Sequence, residues 1–144
     1  MSFHFNEENL EQIETLKKRY PSDAALALPC LWMAQYQEGY ISIDAIDAIS
    51  EIIGLPAMEI YRVVTFYSMF NLQKPQKKVV QVCKTLSCKL CGSDEILAHL
   101  SSKDVELRHV ECLGSCGTAP VMQIDDVNYE NLNIDKVDAI LKAL

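Results

Sequence analysis

Four cysteines fall in two short pairs, Cys83-x4-Cys88 and Cys112-x3-Cys116, in a chain of 144 residues. In a reducing compartment thiols clustered in this way bind metal or do redox chemistry rather than form structural disulfides. Three fillings fit the residue types. A 2Fe–2S cluster takes two thiolates on each iron, so two local pairs are a natural supply. A structural zinc ion takes four thiolates but favours tighter knuckles than the x4 and x3 spacings offer. The third is thiol–disulfide exchange at Cys88-Lys-Leu-Cys91, a C-x-x-C that lies after a strand-like run and just before a helix start, where a helix end stabilises a thiolate. Cys83-x4-Cys88-x2-Cys91 also matches the local spacing of plant-type ferredoxins, which makes Cys91 an alternative ligand. Cys30, after Pro29 in an apolar segment, reads as a buried core thiol.

The elements that must position these thiols change character along the chain. Residues 1–74 have helical periodicity, and residues 75–144 mix strand and helix patterns. The polar stretch Asn71-Leu-Gln-Lys-Pro-Gln-Lys-Lys78 marks the boundary. Asn6 is expected to cap a first helix that buries Leu10, Ile13, Leu16 and Tyr20 and stops at Pro21. A second helix is expected over about Asp23 to Gln37, with Gly39 just past its end. A third starts at Ser42 or Asp44, buries Ile43, Ile46, Ile49, Ile52 and Ile53, and stops at Gly54. Pro56 suits the first turn of a fourth, which runs through Ile60, Val63 and Val64 to about Ser68. Together these predict a small helical bundle.

The second half predicts a strand at Val79–Cys83 and a helix over Gly92 to Leu100 capped by Ser93. Strands follow at Val105–Glu111 and Pro120–Ile124, with a hairpin through Asp125-Asp126 into Val127–Tyr129 and a closing helix from Ile134 to Leu144. The order β-α-β-β-α is that of a small thioredoxin-like domain. The fold class is therefore α+β/α/β: a helical bundle followed by a thioredoxin-like domain. With parallel strands, the Cys83–Cys88 and Cys112–Cys116 loops open at the same end of the sheet, so the four thiols can converge. Gly114 and Gly117 free the backbone to turn N–H groups toward sulfur.

Composition sets the limits. A net charge of −7 and a pI near 4.9 leave no basic footprint for nucleic acid. The longest apolar run is eleven residues, Ala24 to Ala34, against the about 20 that a membrane span needs. Met1-Ser-Phe-His-Phe-Asn-Glu-Glu lacks the basic and apolar regions of a signal peptide, so a cytoplasmic chain is expected, able to dock on a membrane assembly through a partner. No G-x-G-x-x-G follows a strand and no P-loop is present. No nucleotide site is therefore expected on this chain, and no catalytic residue is assigned.

Cys83-Lys-Thr-Leu-Ser-Cys88-Lys-Leu-Cys91-Gly-Ser-Asp-Glu and Glu111-Cys-Leu-Gly-Ser-Cys116-Gly-Thr-Ala-Pro-Val-Met resemble the cluster motifs of the E-subunit family of respiratory NADH:quinone oxidoreductase, the thioredoxin-like 2Fe–2S subunit of complex I. Glu38-Gly-Tyr-Ile-Ser-Ile-Asp-Ala-Ile, Gly54-Leu-Pro and Glu59-Ile-Tyr-Arg-Val-Val-Thr-Phe-Tyr-Ser-Met-Phe70 are similar to its helical domain, and the likeness runs from about residue 20 to the end. The resemblance implies cluster ligands at Cys83, Cys88, Cys112 and Cys116. The position of Cys91 is usually not a cysteine in that family. One 2Fe–2S cluster is implied, with FMN and NADH on a partner subunit and further iron–sulfur subunits beyond. The role implied is one-electron exchange with the partner's flavin. Related subunits serve NAD-linked hydrogenases and formate dehydrogenases. A thiol oxidoreductase using Cys88 and Cys91 stands as the alternative from another class.

Other features carry expectations of their own. Phe66, Tyr67 and Phe70 read as core or as an interface with a partner. Lys84 and Lys89 read as solvated loop lysines, or as charges that offset a cluster. His99 and His109 read as structural. Pro120, just ahead of a strand, resembles the cis-proline of the thioredoxin fold.

Overall fold

The computed structural model describes residues 3–144. The chain divides into two compact units, Met1–Pro75 and Gln76–Leu144.

The first unit holds four helices: α1 Glu7–Lys17, α2 Ala27–Glu38, α3 Ile43–Ile53 and α4 Ala57–Phe66. Local capping chemistry sets two of the starts. Asn6 accepts from the Asn9 N–H at 2.8 Å and Ser42 from the Ala45 N–H at 3.1 Å, each satisfying an orphan donor of the first turn. The stops at Gly39 and Gly54 are left-handed, φ 85° and 67°, a conformation that only glycine adopts without a Cβ penalty. The expected second helix divides: a 3-10 turn over Asp23–Leu26 precedes α2. Pro29 is tolerated because it falls in the first turn of α2, where its missing N–H had no partner to lose.

α2 is the central helix, with Ala27, Cys30, Leu31, Met33, Ala34 and Gln35 buried. Ile13, Ile41, Ile46, Ile49, Ile60, Val64 and Phe70 close the core around it. Cys30 is fully buried and burial pushes its thiol up to about 11, so it stays protonated and packs as a small hydrophobe. Several expected core positions lie outside. Leu10, Tyr20 and Ile43 are exposed: α1 ends at Lys17, before Tyr20, and Ile43 is the first residue of α3. Pro56 is the N-cap of α4 rather than part of its first turn, and α4 stops at Phe66. Of the three aromatics, Phe70 is buried, whereas Phe66 is 79% exposed.

The second unit is a four-stranded sheet in the order β2-β1-β3-β4, with β1 Val79–Cys83, β2 Glu106–Val110, β3 Met122–Ile124 and β4 Val127–Tyr129. β1 and β2 are parallel, and the other pairs are antiparallel. Between β1 and β2 lie two helices rather than one: α5 Leu86–Leu90 and α6 Ser93–Leu100. α7, Ile134–Ala143, closes the chain. Leu144, expected on its apolar side, is 54% exposed. The hairpin at Asp125-Asp126 has φ 48° and 64°, positive at both central residues as a type I′ turn requires; short polar side chains tolerate that region best after glycine. The Ala119–Pro120 bond is cis. Val80, Val82, Ile96, Leu100, Met122, Ile124 and Val137 form the core of this unit.

Ser93, expected as the N-cap of α6, is instead its first residue, after Gly92 at φ 95°. It is fully buried, and its hydroxyl has no hydrogen-bond partner among the described residues. α6 and α7 are clasped by Asp138, which accepts from Lys103 Nζ at 2.7 Å and meets His99 Nε2 at 2.8 Å. His99 is thus structural. Lys103, and then His99, hold the Asp138 carboxyl down to about 2 from its ordinary 3.8. A depressed carboxyl stabilises the fold above its unfolded value, and the contribution fades as pH falls toward the folded value. Asp138→Asn is therefore expected to lower the melting temperature at about pH 6, with the difference from wild type vanishing near pH 2. A thermal unfolding series over that range checks it.

Candidate metal centre

The end of the sheet where β1 and β2 both finish carries the thiols. In the parallel register Cys83 lies opposite Val110. Its N–H donates to Val121 O at 3.1 Å, and the Lys84 N–H donates to Val110 O at 3.1 Å. This main-chain tie brings the segment after β2 and the segment before β3 to the last residue of β1. Cys83, Cys88 and Val121 then form a small apolar cluster of their own, backed by Leu113 and Ala119.

Cys88 does not lie in a loop, as the sequence suggests, but in the short helix α5, where it is the buried residue. Cys112 lies two residues beyond the end of β2. Cys116 opens a 3-10 turn, Cys116–Thr118. The two pairs differ in surroundings: Cys83 and Cys88 are buried, whereas Cys112 and Cys116 are exposed.

Contacts join the thiols within and between pairs. Cys112 Sγ and Cys116 Sγ are 3.3 Å apart, and Cys83 and Cys88 share one small buried cluster with Val121. Electrostatic interactions link Cys83 to Cys112, and Cys116 to both Cys83 and Cys88. Cys91, the C-cap of α5, is exposed. Among the described residues, no three His, Cys, Asp or Glu side chains close on one ion position. The thiols come together two by two.

The two members of each pair differ in how readily they lose a proton. Burial opposes ionisation of Cys83, but hydrogen bonds from the Thr85 side chain and backbone, and from Cys88 and the Leu113 backbone, together hold it below its ordinary value. Burial, and then the neighbouring Cys83, push Cys88 up to about 11. The Gly114 N–H and then Cys116 lower Cys112, and Cys112 in turn raises Cys116. Within each pair the thiol that ionises first raises its neighbour, so the two protons leave in separate steps.

Several of these donors have little signal in the sequence. The Gly114 N–H reaches Cys112 Sγ at 3.4 Å, aided by its φ of 84°; Gly117 takes no such left-handed turn. Thr85 Oγ1 is 3.1 Å from Cys83 Sγ. The available signal is a hydroxyl residue between two candidate ligands. Lys84 and Lys89 are exposed and engaged with carboxylates, Glu111 at 3.2 Å and Asp94 at 3.5 Å, as solvated loop lysines would be. His109 is exposed on β2.

Comparison with known proteins agrees with this geometry. The family model described as thioredoxin-like 2Fe–2S ferredoxin matches residues 13–144. The chain is similar to the E subunit of the NADH-quinone oxidoreductase of Rickettsia bellii, 39% identical over 99% of this chain and 95% of that protein. It is also similar to the E 2 subunit of the NADH-quinone oxidoreductase of Rhizobium meliloti, at 32% over 92% and 86%. Among solved structures, an NAD+-reducing NiFe-hydrogenase in the air-oxidised state shares the fold with a TM-score of 0.63 at 19% identity; the match covers 78% of this chain and 22% of that one. A sheet that ends in two thiol pairs, in a chain that aligns nearly end to end with these relatives, places it in the thioredoxin-like 2Fe–2S ferredoxin family.

Proposed function

We propose that this chain is the 2Fe–2S electron-carrying subunit of an NADH:quinone oxidoreductase and that Cys83, Cys88, Cys112 and Cys116 hold its cluster. The observation that carries the assignment is the gathering of these four thiols at the end of the sheet, Cys83 and Cys88 in one buried cluster and Cys112 and Cys116 with their sulfurs 3.3 Å apart. The donor set fits the group. Four thiols in two pairs match two irons with two thiolates each, and N–H and O–H donors directed at sulfur suit an anionic cluster. The apolar backing of Cys83, Cys88 and Val121 keeps water from one side. When bound, the cluster supplies one-electron storage beside a two-electron flavin.

The chain's own residues hold and orient that group. β1 and α5 present the buried pair, and the loop after β2 presents the exposed pair at the surface. Leu86 and Leu90, 74% and 79% exposed, flank Cys88 on α5 and give this end of the unit an apolar surface for a partner. The partner that fits is the flavin- and NADH-binding subunit of the same complex, with further iron–sulfur subunits beyond it. Among the described residues no helix is long and apolar enough to cross a membrane; the reading gives the chain a peripheral place on the cytoplasmic side of the complex. The thiol-oxidoreductase alternative is disfavoured by the burial of Cys88, since a reactive thiol must be reachable. The hydrogenase likeness, at 19% identity, concerns the fold alone.

Protein purified without oxygen is expected to be red-brown, to carry iron and acid-labile sulfide in equal amounts, and to give an electron-spin signal only after reduction. It should not oxidise NADH by itself. Colourless protein holding stoichiometric zinc would sink the reading.

A further inference from the structure

Thr85 occupies the N-cap position of α5, with extended backbone at φ −79°, ψ 170°. A threonine there ordinarily turns its hydroxyl to the N–H of the second or third helical residue. Here the hydroxyl makes no capping hydrogen bond. It points instead at sulfur, with Oγ1 3.1 Å from Cys83 Sγ. Asn6, Ser42 and Asn133, the N-caps of α1, α3 and α7, accept from their helix, whereas the Thr85 side chain is diverted to a candidate ligand. A local rule broken without evident gain in stability marks a functional position.

We infer that the Thr85 hydroxyl is a positioning donor to the Cys83 thiolate that sets the reduction potential of the centre; this rests on the ligand assignment proposed above. Either atom can donate between a thiol and a hydroxyl, but a thiolate bound to iron has no proton, so in the loaded protein the hydroxyl must donate. A hydrogen bond to a ligand sulfur draws negative charge from the cluster and stabilises the reduced state, which carries one more electron. Removing it is expected to make reduction harder.

The test is a redox titration of the loaded full chain followed by its electron-spin signal, with Thr85→Val, Thr85→Ala and Thr85→Ser. Valine keeps the shape and removes the donor; serine restores the donor. Thr85→Val and Thr85→Ala are expected to lower the equilibrium constant for reduction by about tenfold, roughly 59 mV for one electron, with Thr85→Ser within about twofold of wild type on the same scale. Melting temperatures of the three variants should stay near wild type, because no helix cap is lost. A loaded chain whose Val and Ala variants keep the wild-type potential overturns the inference, as does a fall in melting temperature with no change in potential, which is what a capping role would produce. Failure of both variants to take up a cluster that Thr85→Ser accepts also overturns it, because the hydroxyl would then build the site rather than tune it. A wild-type chain that takes up no 2Fe–2S cluster overturns the ligand assignment itself.

Discussion

Replacing Cys83, Cys88, Cys112 or Cys116 singly by serine is expected to remove the visible absorption and the reduced-state spin signal, whereas Cys91→Ser keeps both. A two-iron cluster needs all four thiolates, and an iron left with a single sulfur ligand from the chain is held loosely. Loss of even an outer-shell partner typically costs 10–100-fold in metal affinity, so loss of a ligand should reduce occupancy by more than about tenfold. The surroundings of the two pairs grade the result. Cys83 and Cys88 are buried among apolar groups, where a serine hydroxyl also loses its solvation; Cys112 and Cys116 are exposed, where water relieves the substitution. The buried-pair variants should therefore also melt lower without cluster, and the exposed-pair variants should not. Iron and sulfide analysis of anaerobically reconstituted variants decides the matter. A Cys91→Ser chain that loses its cluster while one of the other four serine variants keeps it would place Cys91 among the ligands.

The largest effect expected away from the thiols is at Gln35. It is a buried amide in the last turn of α2, 8% exposed, and both ends of its side chain are used. Nε2 donates to Met69 O at 2.8 Å, and Oε1 accepts from the Asn71 N–H at 2.6 Å. Asn71 in turn accepts from the Ile41 N–H at 2.7 Å and donates through Nδ2 to Gly39 O at 3.2 Å. One amide thus ties the segment after α4 to the central helix and, through Asn71, to the turn after α2. Gln35→Leu takes a partner from two main-chain groups at a part-buried site. At about 1–3 kcal/mol for each, the loss is roughly 2–6 kcal/mol, a large share of the about 5–15 kcal/mol that holds a domain together. The melting temperature should fall by about 5–15 °C. Gln35→Glu keeps the acceptor and loses the donor, so calorimetry should put it between Gln35→Leu and wild type. A Gln35→Leu protein as stable as wild type would show that water takes over both groups.

The helices that the sequence predicts well have their signals close by in the chain. Ser42 and Gly54 bracket α3, and Asn6 opens α1, because capping is a matter of three or four residues. The strand runs at Val79–Cys83 and Pro120–Ile124, and the Asp125-Asp126 turn, are readable for the same reason. The differences share another cause. Ile43 and Leu10 fit an apolar period yet face water, since periodicity shows which residues share a side and not which side has a neighbour. α5 reads as a loop because five residues carry too little period to be told from one. Gln35, a polar residue in an apolar helix, gives no sign of its partners 34 and 36 positions away.

The amino-acid sequence by itself determined the chemistry of this protein: two thiol pairs at x4 and x3 spacing, a switch from helical to strand period before them, and no nucleotide-binding loop. These are local facts, set by residue type and by separations of a few positions. Only the tertiary structure decided which sulfurs meet. About two dozen residues lie between Cys88 and Cys112, and their approach depends on the parallel pairing of β1 with β2 and on the tie from Cys83 to Val121. It also buried one pair, exposed the other, left Cys91 at the outer end of α5, and turned the Thr85 hydroxyl from its helix to a sulfur. Such outcomes follow from where distant segments pack, which no short stretch of sequence specifies.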